Sequence, residues 1–319
     1  MASGAHVAAG AAAGAVLSTR IAVVVSTRNR PDDVVGCVRT ILANTSPSFE
    51  LVVVDQSDRP VSPPPEAEFA GDSRLRWIRT TTRGLSASRN VAIAATSAPV
   101  IAFTDDDCRV PQDWVASVES AFAKDDELAL LFGAVILRPE DRVKGYAAEF
   151  EPHAVREFKS TLPPADAAWG VGANMSVRRS TFDKVGTFDV MLGAGAPLFA
   201  AEEIDLTIRA LGAGLKVVHT PAIAVIHLGV REGAAASHLM RGYGVGLGAT
   251  LGKHMRLGTR GAATLLTGWL GLQLRRSVLN VMRGHRNPGF GLAAAVARGA
   301  LRAFRMPLDK AHGMFGHSG

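Results

Sequence analysis

Three short apolar runs, at residues 21–25, 51–54 and 100–104, each stop abruptly in a polar cluster. Runs of β-branched and aliphatic residues without polar alternation are buried on both faces, as strands inside a parallel sheet are. Between them lie segments of helical spacing at 34–42, after the helix-starting Pro31-Asp32-Asp33, and at 85–95. Residues 74–78 read as a further strand, 114–122 as a further helix, and 60–65, with four prolines, as a loop. The alternation predicts an α/β fold: an open, mainly parallel sheet flanked by helices on both faces. Ligands of such sheets bind beyond the carboxyl ends of the strands. The clusters at 26–30, 55–58 and 105–107 all fall at those ends.

Further along, 130–137 and 215–219 read as strands, 201–211 as a helix, and 222–226 as a strand running into His227. Asp105-Asp106-Asp107 is the most chemically demanding cluster. Three adjacent carboxylates repel one another unless something positive lies among them. A hard divalent cation resolves this, since Mg²⁺ or Mn²⁺ takes one or two protein carboxylates together with phosphate oxygens. In an extended segment Asp105 and Asp107 point one way and Asp106 the other. Taken alone, the triplet reads more readily as a solvated loop capping the next helix, since acidic triplets are common.

The apolar strand, Asp-x-Asp at 105–107 and Trp114 a few residues later resemble the nucleotide-sugar site of the family-2 glycosyltransferases. Val23-Val24-Val25-Ser26-Thr27-Arg28-Asn29-Arg30 looks like the family's first strand and nucleotide-contacting loop. Leu51-Val52-Val53-Val54-Asp55-Gln56-Ser57-Asp58 looks like its second, where an aspartate contacts the base. Gly84-Leu85-Ser86-Ala87-Ser88-Arg89-Asn90 resembles the helix start that carries Arg-Asn. Trp169-Gly170-Val171-Gly172-Ala173-Asn174-Met175 resembles the loop under donor sugar and acceptor. Glu202-Glu203-Ile204-Asp205-Leu206, with Arg209 and Gly212, resembles the Glu-Asp-x-Asp-Leu element that carries the base, and His227 stands where a metal-binding histidine often follows. The ordered similarity covers residues 21–228. It departs from the family at 55–58, which is shorter than the usual Asp-Asp-Gly-Ser form, and at Glu202-Glu203, where Glu-Asp is usual.

The resemblance implies a GT-A (Rossmann-like) catalytic domain over 21–230 and an inverting, bacterial-type hexosyl transfer from a nucleotide-diphosphate sugar. Thr27, Arg28, Asn29, Asp55, Arg89, Asn90, Asp105, Asp106, Trp169 and Asn174 would serve the donor. Asp107, with Asp105 and His227, would hold Mn²⁺ or Mg²⁺, and Glu203, or failing it Glu202, would be the general base. The acceptor would be a glycan or lipid-linked hydroxyl of the cell-envelope polysaccharide kind. The residues alone leave plainer readings open. Glu202 suits a helix N-terminus, Asp205 and Arg209 are spaced as an i,i+4 pair, Asp55 suits a turn, and Trp169 and Trp114 suit a core. A sugar nucleotidyltransferase would need a glycine-rich, lysine-containing loop after the first strand, and 26–30 has neither. A non-catalytic GT-A-fold binding or scaffold protein is the other alternative.

Charge separates the last part of the chain. From residue 231 onward there are 13 Lys/Arg and two acidic residues, against 22 and 27 before it. Residues 231–319 read as a basic helical extension, apolar at 257–283 and again at 296–305, facing a membrane surface, packing on the core, or forming a homodimer. No aromatic-interleaved platform accompanies the basic residues, which argues against nucleic acid. Two cysteines, neither in a metal-type pair, suit a reducing cytoplasm, with attachment to the inner face of the cell membrane as the further expectation. Residues 1–20, Ala/Gly-rich and without a basic start, read as a disordered leader.

Overall fold

The apolar runs become neighbouring strands of one sheet. The computed structural model describes residues 20–46, 48–59, 61–165, 167, 169–284 and 290–316, so the leader expected at 1–20 lies almost wholly outside the described residues. In order, β1 (Ile21–Thr27), α1 (Pro31–Leu42), β2 (Phe49–Asp55), β3 (Leu75–Arg79), α2 (Leu85–Ala95) and β4 (Val100–Asp105) form the first half. There follow β5 (Cys108–Arg109), α3 (Trp114–Lys124), β6 (Leu128–Leu137), α4 (Pro139–Arg142), β7 (Arg156–Lys159), β8 (Asn174–Arg178) and α5 (Arg179–Val185). Then come α6 (Glu202–Gly212), β9 (Lys216–His227), α7 (Gly233–Arg256), α8 (Ala262–Met282) and α9 (Phe290–Arg305).

The sheet runs β3-β2-β1-β4-β8-β6-β9-β5, with β7 also paired to β9. β3, β2, β1 and β4 are parallel, and β8 is antiparallel to both of its neighbours. The register matters for function. Thr27 lies beside Asp55 and Ser26 beside Asp105, so the polar ends of three strands form one row. Val23, Val24, Val52, Val53, Ile101 and Phe103 behind that row are buried in the core.

Two expected strands, 215–219 and 222–226, are one strand. β9 slips register against β6 between Gly133 and Ala134, opposite the stretch that holds Pro221. Proline cannot donate to a ladder and is tolerated at such a bulge, which is why the sequence pattern breaks while the strand continues. At 60–65 the described part is irregular as expected, but Pro65 already begins a 3₁₀ turn that runs to Phe69. The short β7, β8 and α5 had no counterpart among the expected elements, because their few residues alternate too little to show a period.

The helices after residue 230 are fastened to the body that carries the sheet. Ile208 of α6 packs with Leu251 of α7, Leu265 and Leu266 of α8, and Val296 and Ala300 of α9. α7 and α9 approach so closely that a methyl group on Gly248 would overlap the Val296 carbonyl oxygen. Inside this contact Lys253 of α7 is fully buried, with its Nζ 2.7 Å from both Asp189 and Asp205. Asp205 also meets Arg209 at 3.0 Å and His254 at 2.9 Å, so the i,i+4 pair read from the sequence is present and belongs to a larger ionic cluster. Removing Lys253 leaves the buried Asp189 carboxylate without a paired cation among the described residues. Lys253→Met should therefore cost about 3–5 kcal/mol, visible as a lowered urea midpoint.

Candidate functional site

The row of strand ends opens into two cavities that share Thr27. One, of 370 Å³, is lined by Asp55, Ser57, Asp58, Trp77 and Arg79. The other, of 550 Å³, is lined by Asp105, Asp106, Asp107, Arg89, Glu202, Glu203 and His227, together with Tyr146 and Tyr243.

The acidic triplet is divided, but not as expected. β4 ends at Asp105, and Asp106 and Asp107 lie in a turn, so extended alternation does not apply to them. Asp105 faces the cavity, 32% exposed, with Arg89 3.5 Å away. Asp106 and Asp107 together hold Arg30, at 2.5 and 2.7 Å, and Thr27 donates its hydroxyl to Asp106 at 2.8 Å. Burial pushes the Asp106 carboxyl up to about 7, against the pull of Arg30. Burial would raise Asp107 as well, but hydrogen bonding and charge from a protonated His227 and from Arg30 outweigh it and hold that carboxyl well below its ordinary range when no metal is bound. Burial thus raises one carboxyl, while the partners of its neighbour lower the other.

His227 completes this group from the end of β9. Its Nδ1 faces the Ala148 carbonyl at 3.1 Å, which fixes the proton on that nitrogen in the neutral ring. The other nitrogen, Nε2, then points its lone pair at Asp107 Oδ1, 3.2 Å away. That oxygen is buried and has no hydrogen-bond partner among the described residues. Two facing acceptors are stable only with a cation or a proton between them, and this is the observation by which the residues fit a divalent ion. Gly229 closes over the pair, and a methyl group there would overlap the Asp107 carboxylate. Cys108 lies within the same cluster. Burial first, then Asp105 and Asp107, push its thiol well above the usual range, so without a metal it is a neutral thiol beside the carboxylate and the imidazole. Mn²⁺ and Mg²⁺ suit such a set better than thiolate-seeking metals do.

The paired glutamates stand at the first turn of α6, entered through left-handed backbone at Phe199 and Ala201 (φ 69° and 74°). Such conformations in non-glycine residues are strained and cluster at functional sites. They aim the two acids differently. Glu202 is buried and bound to Arg89 at 2.9 Å, whose other amino group donates to the Gly172 carbonyl at 3.1 Å. Glu203 has no cation paired with it among the described residues and lines the cavity. Burial, then the neighbouring charge of Glu202, raises its carboxyl well above the ordinary range.

Three residues expected at the donor are elsewhere. Asn90 turns away from Arg89, as successive helical residues do, and clasps both backbone polar groups of Phe188 at 2.9 and 3.0 Å. Asn174, the first residue of β8, is buried, donating to Ala134 and Ile223 and accepting from Trp114 Nε1. Trp169 packs beside Leu265 and Leu266 of α8 rather than over a sugar site. Arg28 and Asn29 sit on the rim, both tied to Asp58. Asp55 lines the smaller cavity, where its carboxylate accepts from the Ser57 amide at 2.8 Å. Four contributors were not singled out from the sequence: Arg30, Gly229, and the chain's two tyrosines, whose rings meet edge to face at 6.1 Å. Arg30 could have been noticed as the last residue of the first polar cluster, whereas Tyr243 comes from α7, beyond the expected catalytic domain.

The model of the family described as Glycosyl transferase family 2 matches residues 22–186, just over half of the 319. The chain belongs to that family. Over 149 residues it is 26% identical to the pre-mycofactocin glycosyltransferase of Mycobacterium tuberculosis, covering 46% of this chain and 30% of that protein. Over 212 residues it is 24% identical to the glycosyltransferase AglE of Haloferax volcanii, covering 65% of this chain and 66% of that one. The chain therefore spans under a third of the first relative and about two thirds of the second. Among solved structures, the mannosyltransferase PcManGT from Pyrobaculum calidifontis, in complex with GDP-Man and Mn²⁺, aligns with a TM-score of 0.60 at 16% identity, covering 89% of this chain and 87% of that one. GalNAc-T7 with UDP, GalNAc and Mn²⁺ aligns with a TM-score of 0.52, also at 16% identity, covering 72% of this chain and 47% of the other. The family-2 chain thus has the GT-A fold that its strand order and switch-point cavities describe.

Proposed function

We propose that this family-2 protein transfers a sugar from a nucleoside-diphosphate donor to a hydroxyl of a glycan or lipid-linked acceptor, with inversion. The observation that carries the reading is the unequal pair on α6. Arg89 neutralises Glu202, while Glu203 faces the cavity without a cation, as a base must. Glu203 would take the acceptor proton while the hydroxyl oxygen attacks the anomeric carbon from the face opposite the leaving group. The bond from that carbon to the diphosphate oxygen breaks, and the nucleoside diphosphate departs with the electron pair. Mn²⁺ or Mg²⁺ held by Asp107 and His227 would neutralise charge on the departing diphosphate. Asp105 suits the ribose side of the donor and Asp55 the base, in the smaller cavity. Tyr146 and Tyr243 form an aromatic wall fitted to a sugar ring of the acceptor.

Two features bear on where the protein works. Among the described residues no helix is long and apolar enough to cross a membrane. The basic extension supports attachment to the inner face of the cell membrane, where a lipid-linked acceptor would be met.

The reading is tested by a thermal-shift screen of UDP-, dTDP- and GDP-sugars with and without Mn²⁺. One donor class should stabilise the protein, by about 2.7 kcal/mol at a hundredfold excess over Kd, and only with the metal present. Silence toward every donor would remove the reading.

A further inference from the structure

The distal half of α8 is inside out. Its covered side carries polar residues at helical spacing, with Ser277 buried and Gln273 and Asn280 half-buried. Its outer side carries Leu274, Val278, Val281 and Met282 at i, i+4, i+7 and i+8, which are 48, 50, 54 and 78% exposed. A surface helix of a soluble domain places these residues the other way round. The proximal half of the same helix does so, burying Leu265 and Leu266 against the catalytic body. The inversion is thus local to the part of α8 that extends beyond the core. Scattered exposed apolar residues are ordinary, but a stripe of four in register marks a surface made to meet something apolar.

Charge identifies what that something is. Residues 233–308 contain no Asp or Glu and 11 Lys/Arg. Arg275 borders the stripe, Arg276 and Arg283 lie on the far side of the same helix at about 100° per residue, and all three are exposed. An apolar stripe on a basic helix free of carboxylates matches the boundary between acyl chains and anionic headgroups. With no helix among the described residues able to span, the fit is to an interface and not to a crossing. We infer that the outer face of α8 over 274–283 docks the enzyme on an anionic lipid surface, with Leu274, Val278, Val281 and Met282 entering the headgroup boundary. This deepens the membrane attachment proposed above and rests on it, but needs no assumption about the donor or the sugar.

The test is flotation of the full chain with phosphatidylcholine vesicles, with and without phosphatidylglycerol, in the absence of any donor. The wild type should float with the anionic vesicles and weakly with the neutral ones. L274Q/V278Q/V281Q/M282Q should lose about tenfold or more of that binding while keeping the wild-type melting temperature, since all four side chains are already exposed. R275Q/R276Q/R283Q should lose the preference for anionic lipid. Because Cys37 and Cys108 are buried, Met282→Cys can be labelled selectively with an environment-sensitive dye, whose emission should shift to the blue on adding anionic vesicles. Failure of the wild type to float, wild-type flotation by the quadruple variant, or an unshifted dye would each overturn the inference. So would a wild-type dimer that the quadruple variant turns into a monomer without either binding vesicles, which would assign the face to a second copy. Donor-induced thermal shifts are read separately, so loss of membrane binding cannot be confused with loss of the transferase reading.

Discussion

Glu203→Gln should nearly abolish sugar transfer and leave donor binding intact. The expected loss is about 10²–10⁴-fold, the ordinary contribution of a positioned general base, measured as product formed per chain at saturating donor and acceptor. The donor-induced thermal shift should match that of the wild type, because the proposed metal ligands Asp107 and His227 and the strand-end row are unchanged. Glu202→Gln should act differently. It releases Arg89, which also stands 3.5 Å from Asp105 and holds the Gly172 carbonyl, so donor binding should weaken along with turnover. The pH dependence has a definite sign. Burial and Glu202 raise the Glu203 carboxyl, and a base must be ionised, so wild-type turnover should climb with pH through that raised value. Stability runs the opposite way. A group whose folded value is raised stabilises the protein below its unfolded value and loses that contribution as pH rises through the folded one. At pH 8 Glu203→Gln should therefore melt no lower than the wild type, and higher if the ionised carboxylate is strained. A variant that is inactive yet more stable is the pattern expected when an active-site charge is kept at the expense of the fold.

Asp107→Asn and His227→Gln should each reduce transfer on the order of 10³-fold, equivalent to several kcal/mol of lost charge stabilisation on the leaving diphosphate. Unlike Glu203→Gln, both should also lose the metal-dependent part of donor binding. The two positions are coupled through the 3.2 Å contact between Nε2 and Oδ1, so the double variant should be little worse than either single one. Arg30 gives an internal contrast. Its guanidinium is shared between Asp106 and Asp107, and their charge keeps it protonated despite burial. Its replacement leaves two buried carboxylates without their shared cation and should cost stability before it costs chemistry.

The strand ends were legible from the sequence because burial on both faces and an abrupt polar stop leave few alternatives. β1, β2 and β4 contain the expected runs, and α2 has the expected bounds, Leu85–Ala95. Side-chain direction was harder to read. Arg89 and Asn90 are adjacent in one motif, yet the turn of the helix sends one to the cavity and the other to the Phe188 backbone. Asn174 and Trp169 occupy a loop that resembles a donor site, but packing claimed both, at the start of β8 and against α8. The division of Asp105-Asp106-Asp107 depended on where the strand ends, which no local pattern fixes to a residue. The share of α7 in the cavity, through Leu239, Tyr243 and Leu247, is a long-range contact with no local signal. The same is true of Lys253, which reads as one more basic residue until Asp189 and Asp205 are found around it.

A titration of Mn²⁺ followed by electron paramagnetic resonance, on the full chain with saturating nucleoside diphosphate, tests the metal centre without relying on turnover. The wild type and Glu203→Gln should each bind a single Mn²⁺ with equal affinity, while Asp107→Asn and His227→Gln should leave the Mn²⁺ free at the same concentrations. Undiminished Mn²⁺ binding by both of those variants would contradict the assignment of the metal to Asp107 and His227, and with it the proposed route for the departing diphosphate.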